Sequence, residues 1–305
     1  MVPKIMKQGA LTPWLYLSAA LLIMLLFIVY PTIRTVTLSL RDKAGAQPAT
    51  VDCVAGEPCW GVLENYRYAL TNPEMLQALR NNALWILLMV PGTVGAGLLF
   101  AVLTDRVRYE RLAKTIIFLP MAISFVGAGV IWRFVYFLET GEGAQIGVLN
   151  AIIAGLGGQP VAWLTNSNWM VNNVSLWIVG TWLWAGFCMT ILSAALKAVP
   201  TEILEASRVD GASEWQVFWR IMFPLILPTV TVVTTTMIIN ILKVFDIVFV
   251  MTNGLNGTEV IANRMFKFIV TNQGRSMAIA GLLIVLTIPI MIFNVRRFRE
   301  QEEIR

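Results

Sequence analysis

Few residues in this chain are of a type that could do chemistry, and their placement limits what that chemistry is. There is no His, so the commonest general base and transition-metal ligand is missing. A zinc hydrolase centre and a Ser-His-Asp triad are disfavoured with it. No glycine-rich loop of the phosphate-cradling type occurs, so if ATP drives this protein, another chain hydrolyses it. The notable ionisable residues fall in two places. Glu202, Glu205, Arg208, Asp210 and Glu214 sit together in the segment KAVPTEILEASRVDGASEWQVFWRIM, residues 197–222. Lys243 and Asp246 sit instead within an apolar stretch, where a charge costs roughly 2.5–3.5 kcal/mol on insertion scales. Their i, i+3 spacing suits pairing on one helix face, and facing a cavity or a partner subunit is the other way to shelter them. Lys243 also has the length to snorkel outward.

The elements that must hold these residues are membrane helices. Over the 305 residues, 57% are hydrophobic and 13% charged, against roughly 25% charged in a soluble domain. A soluble fold could not hide that much apolar surface, so a bilayer is the expected solvent. About 20 apolar helical residues cross the hydrocarbon core. Six stretches meet that length, at about 14–39, 82–103, 115–137, 171–195, 225–250 and 277–295. The first is too long for a signal peptide and lacks a small-residue cleavage site after Pro31. The expected fold is all-α and polytopic, one transmembrane domain over residues 1–305.

Basic residues near the span ends set the orientation. Arg106, Arg108, Arg111 and Lys114 crowd the loop 105–114; Arg296, Arg297, Arg299 and Arg305 follow the last span, and Lys4 and Lys7 precede the first. Residues 140–170 carry no Lys or Arg. Both termini are therefore expected in the cytoplasm, although Arg41, Lys43 and Arg67 fall in the long first outer loop. On this reading the net charge of +5 reflects topology and not nucleic-acid binding. Cys53 and Cys59 share that outer loop, where a disulfide and two free thiols are both open; Cys188 reads as a small packing residue. The segment 141–170 reads as a short interfacial helix and a turn.

Pro200 and Thr201 give a helix start in the 197–222 loop, with Glu202 and Glu205 favourable in its first turns. Gly211 permits a sharp turn, after which Trp215, Phe218, Trp219 and Met222 recur at helical spacing. This is a helix–turn–helix finger, suited to docking a soluble partner. An interfacial helix lying on lipid explains its aromatic residues but not its acidic first helix.

The finger resembles that of the importer-type ABC permeases, whose motif reads EAA, three residues, Gly, nine residues, Ile-x-Leu-Pro. Here the same spacing gives Glu205-Ala206-Ser207, Gly211 and Ile221-Met222-Phe223-Pro224, departing mildly at Ser207 and Phe223. The stretches Thr181-Trp182-Leu183, Lys197-Ala198-Val199-Pro200 and Met251-Thr252-Asn253-Gly254 are similar to the larger permease subunit of the maltose type. The compact length and LPMAISFVGAGVIW at residues 119–132 look closer to permeases of α-glucoside and glucosylglycerol systems. The resemblance implies a type I importer fold. It implies a coupling helix that seats in the ATPase subunit through Glu205, Ala206, Ser207, Asp210 and Gly211.

The resemblance also implies a sugar site. Aromatic faces cover the C–H side of a sugar ring and polar groups meet its hydroxyls, near mid-membrane in a transporter. The fourth span offers Trp182, Trp184 and Phe187, and the fifth offers Asn240, Lys243 and Asp246. The family's site maps onto Trp182, Leu183, Trp184 and Phe187, then Met237, Asn240, Ile241 and Val244. At Ile241 and Val244 the maltose subunit has polar amides, so location is implied and the hydrogen-bond pattern is not. Interface-belt or packing roles for the tryptophans, and a helix–helix bond for Asn240, stand as alternatives.

The expectation is thus a non-catalytic permease subunit of an ATP-driven, binding-protein-dependent sugar importer in a bacterial inner membrane. Implied partners are a second permease, two ATPase subunits that bind ATP and Mg, and a periplasmic or lipid-anchored sugar-binding protein, besides membrane lipid. No metal site and no cofactor are expected in this chain. The rival classes are an ion-coupled secondary transporter using Asp246 and a membrane-embedded enzyme.

Overall fold

The computed structural model describes residues 12–41, 63–141 and 143–303. Cys53 and Cys59, and the basic residues Lys4, Lys7, Lys43 and Arg305, lie outside them. The described residues are helical, with no strand among them. In chain order the helices are α1 (Tyr16–Ser39), α2 (Glu64–Thr71), α3 (Pro73–Thr104), α4 (Glu110–Ala122), α5 (Phe125–Val135) and α6 (Val148–Gly155). There follow α7 (Trp169–Lys197), α8 (Thr201–Val209), α9 (Glu214–Leu242), α10 (Asp246–Met251), α11 (Ile261–Thr271) and α12 (Gln273–Glu303). Among the described residues five helices are long and apolar enough to cross a membrane, and the count is six where the bent pair α4–α5 is taken as one broken span.

Two compact units divide the chain, one running through Leu70 with Lys267–Leu282, the other covering Thr71–Phe266 and the residues from Leu283 onward. In the first, the apolar side chains of α1 stay exposed in the isolated chain, as suits a helix solvated by lipid or another subunit. Asn65 donates to the carbonyls of Ser39 (2.9 Å) and Arg41 (2.7 Å), satisfying acceptors that the end of α1 leaves open. The Tyr66 hydroxyl bonds Ser39 Oγ at 2.8 Å.

In the second unit α3 lies along α7. Asn72 caps α3, accepting from the Glu74 amide at 3.0 Å, and Pro73 opens the first turn. Trp85, Met89, Leu176, Leu183, Met189, Leu192 and Met237 are fully buried between these helices and α9. Lipid is as apolar as Leu, so close packing replaces the hydrophobic effect as the driving force. A Cβ at Gly97 would come 2.9 Å from the Met189 amide nitrogen, so only glycine lets the two backbones approach so closely.

Three of the prolines within the apolar runs follow wider turns. Five-residue π turns at Leu25–Val29, Trp85–Met89 and Phe218–Met222 lie just ahead of Pro31, Pro91 and Pro224. Each proline lacks an N–H and crowds the carbonyl four residues back, which in each case belongs to the π turn. Two expected spans differ from prediction. The third, 115–137, is not one straight helix: it bends by 100° between α4 and α5. Pro120 enters a 3-10 turn, Ile123 is extended, and Ser124 starts α5 by accepting from the Gly127 amide at 3.0 Å. The fifth, expected at 225–250, begins earlier and stops at Leu242. Asn82 donates to the Leu242 carbonyl at 3.2 Å and accepts from the Ile261 amide at 2.9 Å, holding open the break that precedes α10. The segment 141–170 forms α6 and a turn, as expected; buried Asn150 ties it to the carbonyls of Phe137 (3.0 Å) and Val161 (3.1 Å).

Candidate functional site

The finger is built as its residue types dictate. Helix α8 ends at Asp210, Gly211 takes φ +83°, and Ser213 opens α9 with a capping box in which Ser213 and Gln216 satisfy each other's backbone amides. Glu205, Ala206, Asp210 and Gly211 are exposed at the bend. Ser207 is buried and donates to the Leu204 carbonyl at 2.8 Å, so of the five residues expected to dock it shapes the finger from within. Glu214 meets Arg208 at 2.7 Å and Arg106, from the turn after α3, at 3.2 Å.

Two adjoining cavities in the second unit share Phe125 and Trp184. One, of about 170 Å³, is lined by Trp184, Asn240, Ile241, Lys243, Val244 and Asp246 among others. The other, of about 360 Å³, lies under Met121–Phe125 against Leu183 and Trp184. Small-molecule sites run to roughly 300–1,000 Å³, so the first alone is too small for such a site, whereas the second alone, or the two together, falls within the range. The aromatic wall is ordered: Phe125 stacks on Trp184 with centroids 5.7 Å apart, and Phe187 meets Trp184 edge-on at 5.7 Å.

The structure therefore brings Trp184, Asn240, Ile241, Lys243 and Val244 to one cavity. Phe187 reaches it only by supporting Trp184. Trp182 lines neither cavity and packs edge-on against Trp132 at 5.6 Å. Met237 is fully buried, and Ile241 and Val244 are buried nearly so. Asn240 donates to the Thr236 carbonyl of its own helix at 2.9 Å. Lys243 and Asp246 do not share a helix face as their spacing suggested. Helix α9 stops before Lys243 and α10 starts at Asp246, and the ion pairs of the described residues do not join them. Phe125, Gly180 and Phe245 also line the cavity and were not anticipated. Phe125 had a readable cue, because Pro120 and the capping Ser124 mark a helix start in mid-span; Phe245 and Gly180 had none.

Buried asparagines fix the loop after α10. Asn81 donates to the carbonyls of Gly257 and Glu259, both at 2.8 Å; Asn172 donates to Asn256 (2.9 Å) and Asn173 to Gly257 (3.1 Å). The loop needs such anchoring because Asn253, Gly254, Asn256 and Gly257 all take positive φ. Among the described residues no cluster of His, Cys, Asp or Glu could hold a metal.

Residues 93–299 match the family described as binding-protein-dependent transport system inner membrane component. The chain belongs to that family. It is a membrane translocation component and not an enzyme, which sets aside both rival classes. It is 50% identical to the osmoprotective compounds uptake permease protein GgtC of Synechocystis sp., over 95% of this chain and 100% of that one. It is 44% identical to the alpha-glucoside transport system permease protein AglF of Rhizobium meliloti, over 94% and 82%. It also superposes on a chain of a bacterial ABC transporter involved in the import of the acidic polysaccharide alginate, with TM-score 0.77 and 22% identity, covering 94% and 95%. That likeness is one of fold, and the all-α importer-permease architecture expected from the sequence is the one found.

Proposed function

We propose that this permease carries an α-glucoside, glucosylglycerol or a similar di- or oligosaccharide. One observation carries the reading: the stacked Trp184–Phe125 face opens onto a cavity whose remaining wall includes Asn240, Lys243 and Asp246. Such a wall offers an apolar plane for ring C–H groups and polar ends for hydroxyls. The names of the two relatives, an osmoprotectant permease and an alpha-glucoside permease, support the same substrate class.

In this reading residues 1–305 are one permease domain in a bacterial inner membrane, with both termini cytoplasmic. The chain supplies half of the pathway, and a different permease chain supplies the rest. A periplasmic or lipid-anchored binding protein delivers the sugar. Two ATPase subunits bind ATP and Mg, and this chain's finger docks one of them through Glu205, Ala206, Asp210 and Gly211, with Ser207 holding its shape. ATP binding closes the ATPase pair, draws the fingers together and opens the cavity outward; hydrolysis reverses the movement. Uptake assays on the reconstituted complex with a panel of disaccharides and glucosylglycerol test the substrate. Preference for α-glucosides or glucosylglycerol is expected, and transport of none of them would refute the assignment.

A further inference from the structure

A cluster of charges lies between the finger and the cavity. Lys114 Nζ is 2.5 Å from Asp105 and 2.7 Å from Glu110, and also bonds Ser193 Oγ; Ser193 in turn donates to Asp105 at 2.8 Å. Lys197, the last residue of α7, pairs with the same Glu110 oxygen. The Lys114 and Asp105 side chains are only 22% and 18% exposed, so this pair is screened less than a surface bridge.

Its connections give the cluster a role. The turn 105–110 is held at one side by Arg106 on Glu214 of the finger and at the other by Ser193 and Lys197, at the end of α7 from which the finger departs. Lys114 sits on α4, and that helix runs to Pro120 and the 100° bend, beyond which Ser124 and Phe125 line the cavities. We propose that Lys114, with Asp105 and Glu110, is a positioning group that locks α4 to the base of the finger, so that finger movement is delivered to the bent third segment and its cavity wall. A cation on α4 shared by a carboxylate of its own helix, a carboxylate of the turn after α3 and a hydroxyl of α7 is suited to making α4 and α7 move as one body.

The inference rests on the finger being the ATPase-docking element, so its test keeps the two separable. In the full reconstituted complex, Lys114→Met is expected to co-purify with the ATPase and to hydrolyse ATP within about twofold of wild type. Uptake per ATP hydrolysed should fall on the order of tenfold, the size of an ordinary coupling effect. Lys114→Arg, which keeps the charge, should recover most of it. Glu110→Gln should lower the same ratio by a smaller factor, since Asp105 still holds Lys114. Parallel falls in uptake and hydrolysis, an unchanged ratio, or failure of both Lys114→Met and Glu110→Gln to assemble would overturn the proposal.

Discussion

Trp184 stands where the two cavities meet, backed by Phe125 and Phe187, whereas Trp182 is turned to Trp132. Their substitutions should separate. Trp184→Ala is expected to raise the dissociation constant of the sugar for the purified complex, measured without the binding protein, on the order of tenfold, about 1.4 kcal/mol of binding. Trp182→Ala should leave that constant nearly unchanged and act through packing. Equal effects of the two on apparent affinity would show that the cavity is not the binding surface. Asn82 bonds both sides of the helix break beside the site. Asn82→Leu strands the Leu242 carbonyl and the Ile261 amide, each a buried group whose loss of a partner costs about 1–3 kcal/mol. A thermal melt of the purified chain should move down by several degrees, and a melt unchanged from wild type would contradict that role.

At the scale of elements, the third and fifth segments show what a sequence reveals of a membrane fold. Six apolar runs were legible, because a bilayer needs long uninterrupted hydrophobic helices. The bend in the third was also written locally, in Pro120 and the Ser124 cap. Ser124→Ala, losing that cap, should cost about 1 kcal/mol, seen as a lower melting temperature together with altered uptake. Altered melting with normal uptake would place the bend outside the pathway. The end of α9 was not legible, since nothing near Leu242 stops a helix. The stop is imposed by Asn82, 160 residues away in sequence, and no periodicity carries such a contact. The same reason explains the site residues. Trp184 and Asn240 were readable as aromatic and polar residues in apolar spans, while Phe245 enters the cavity only because the helix breaks beside it.

For the molecule as a whole, the account depends on the finger carrying ATP-driven force. Gly211 gives a clean way to ask. Its φ of +83° makes a side chain cost roughly 1–2 kcal/mol, but no atom lies within 4 Å of an added Cβ. Gly211→Arg should therefore fold and insert, with its new bulk projecting from the face proposed to meet the ATPase. The decisive measurement is ATPase co-purification with this variant in parallel with ATP-driven sugar uptake in proteoliposomes. The account predicts a monodisperse, thermally near-normal permease that has lost the ATPase subunit and all ATP-dependent uptake. Wild-type ATPase recovery and wild-type uptake with Gly211→Arg would contradict it.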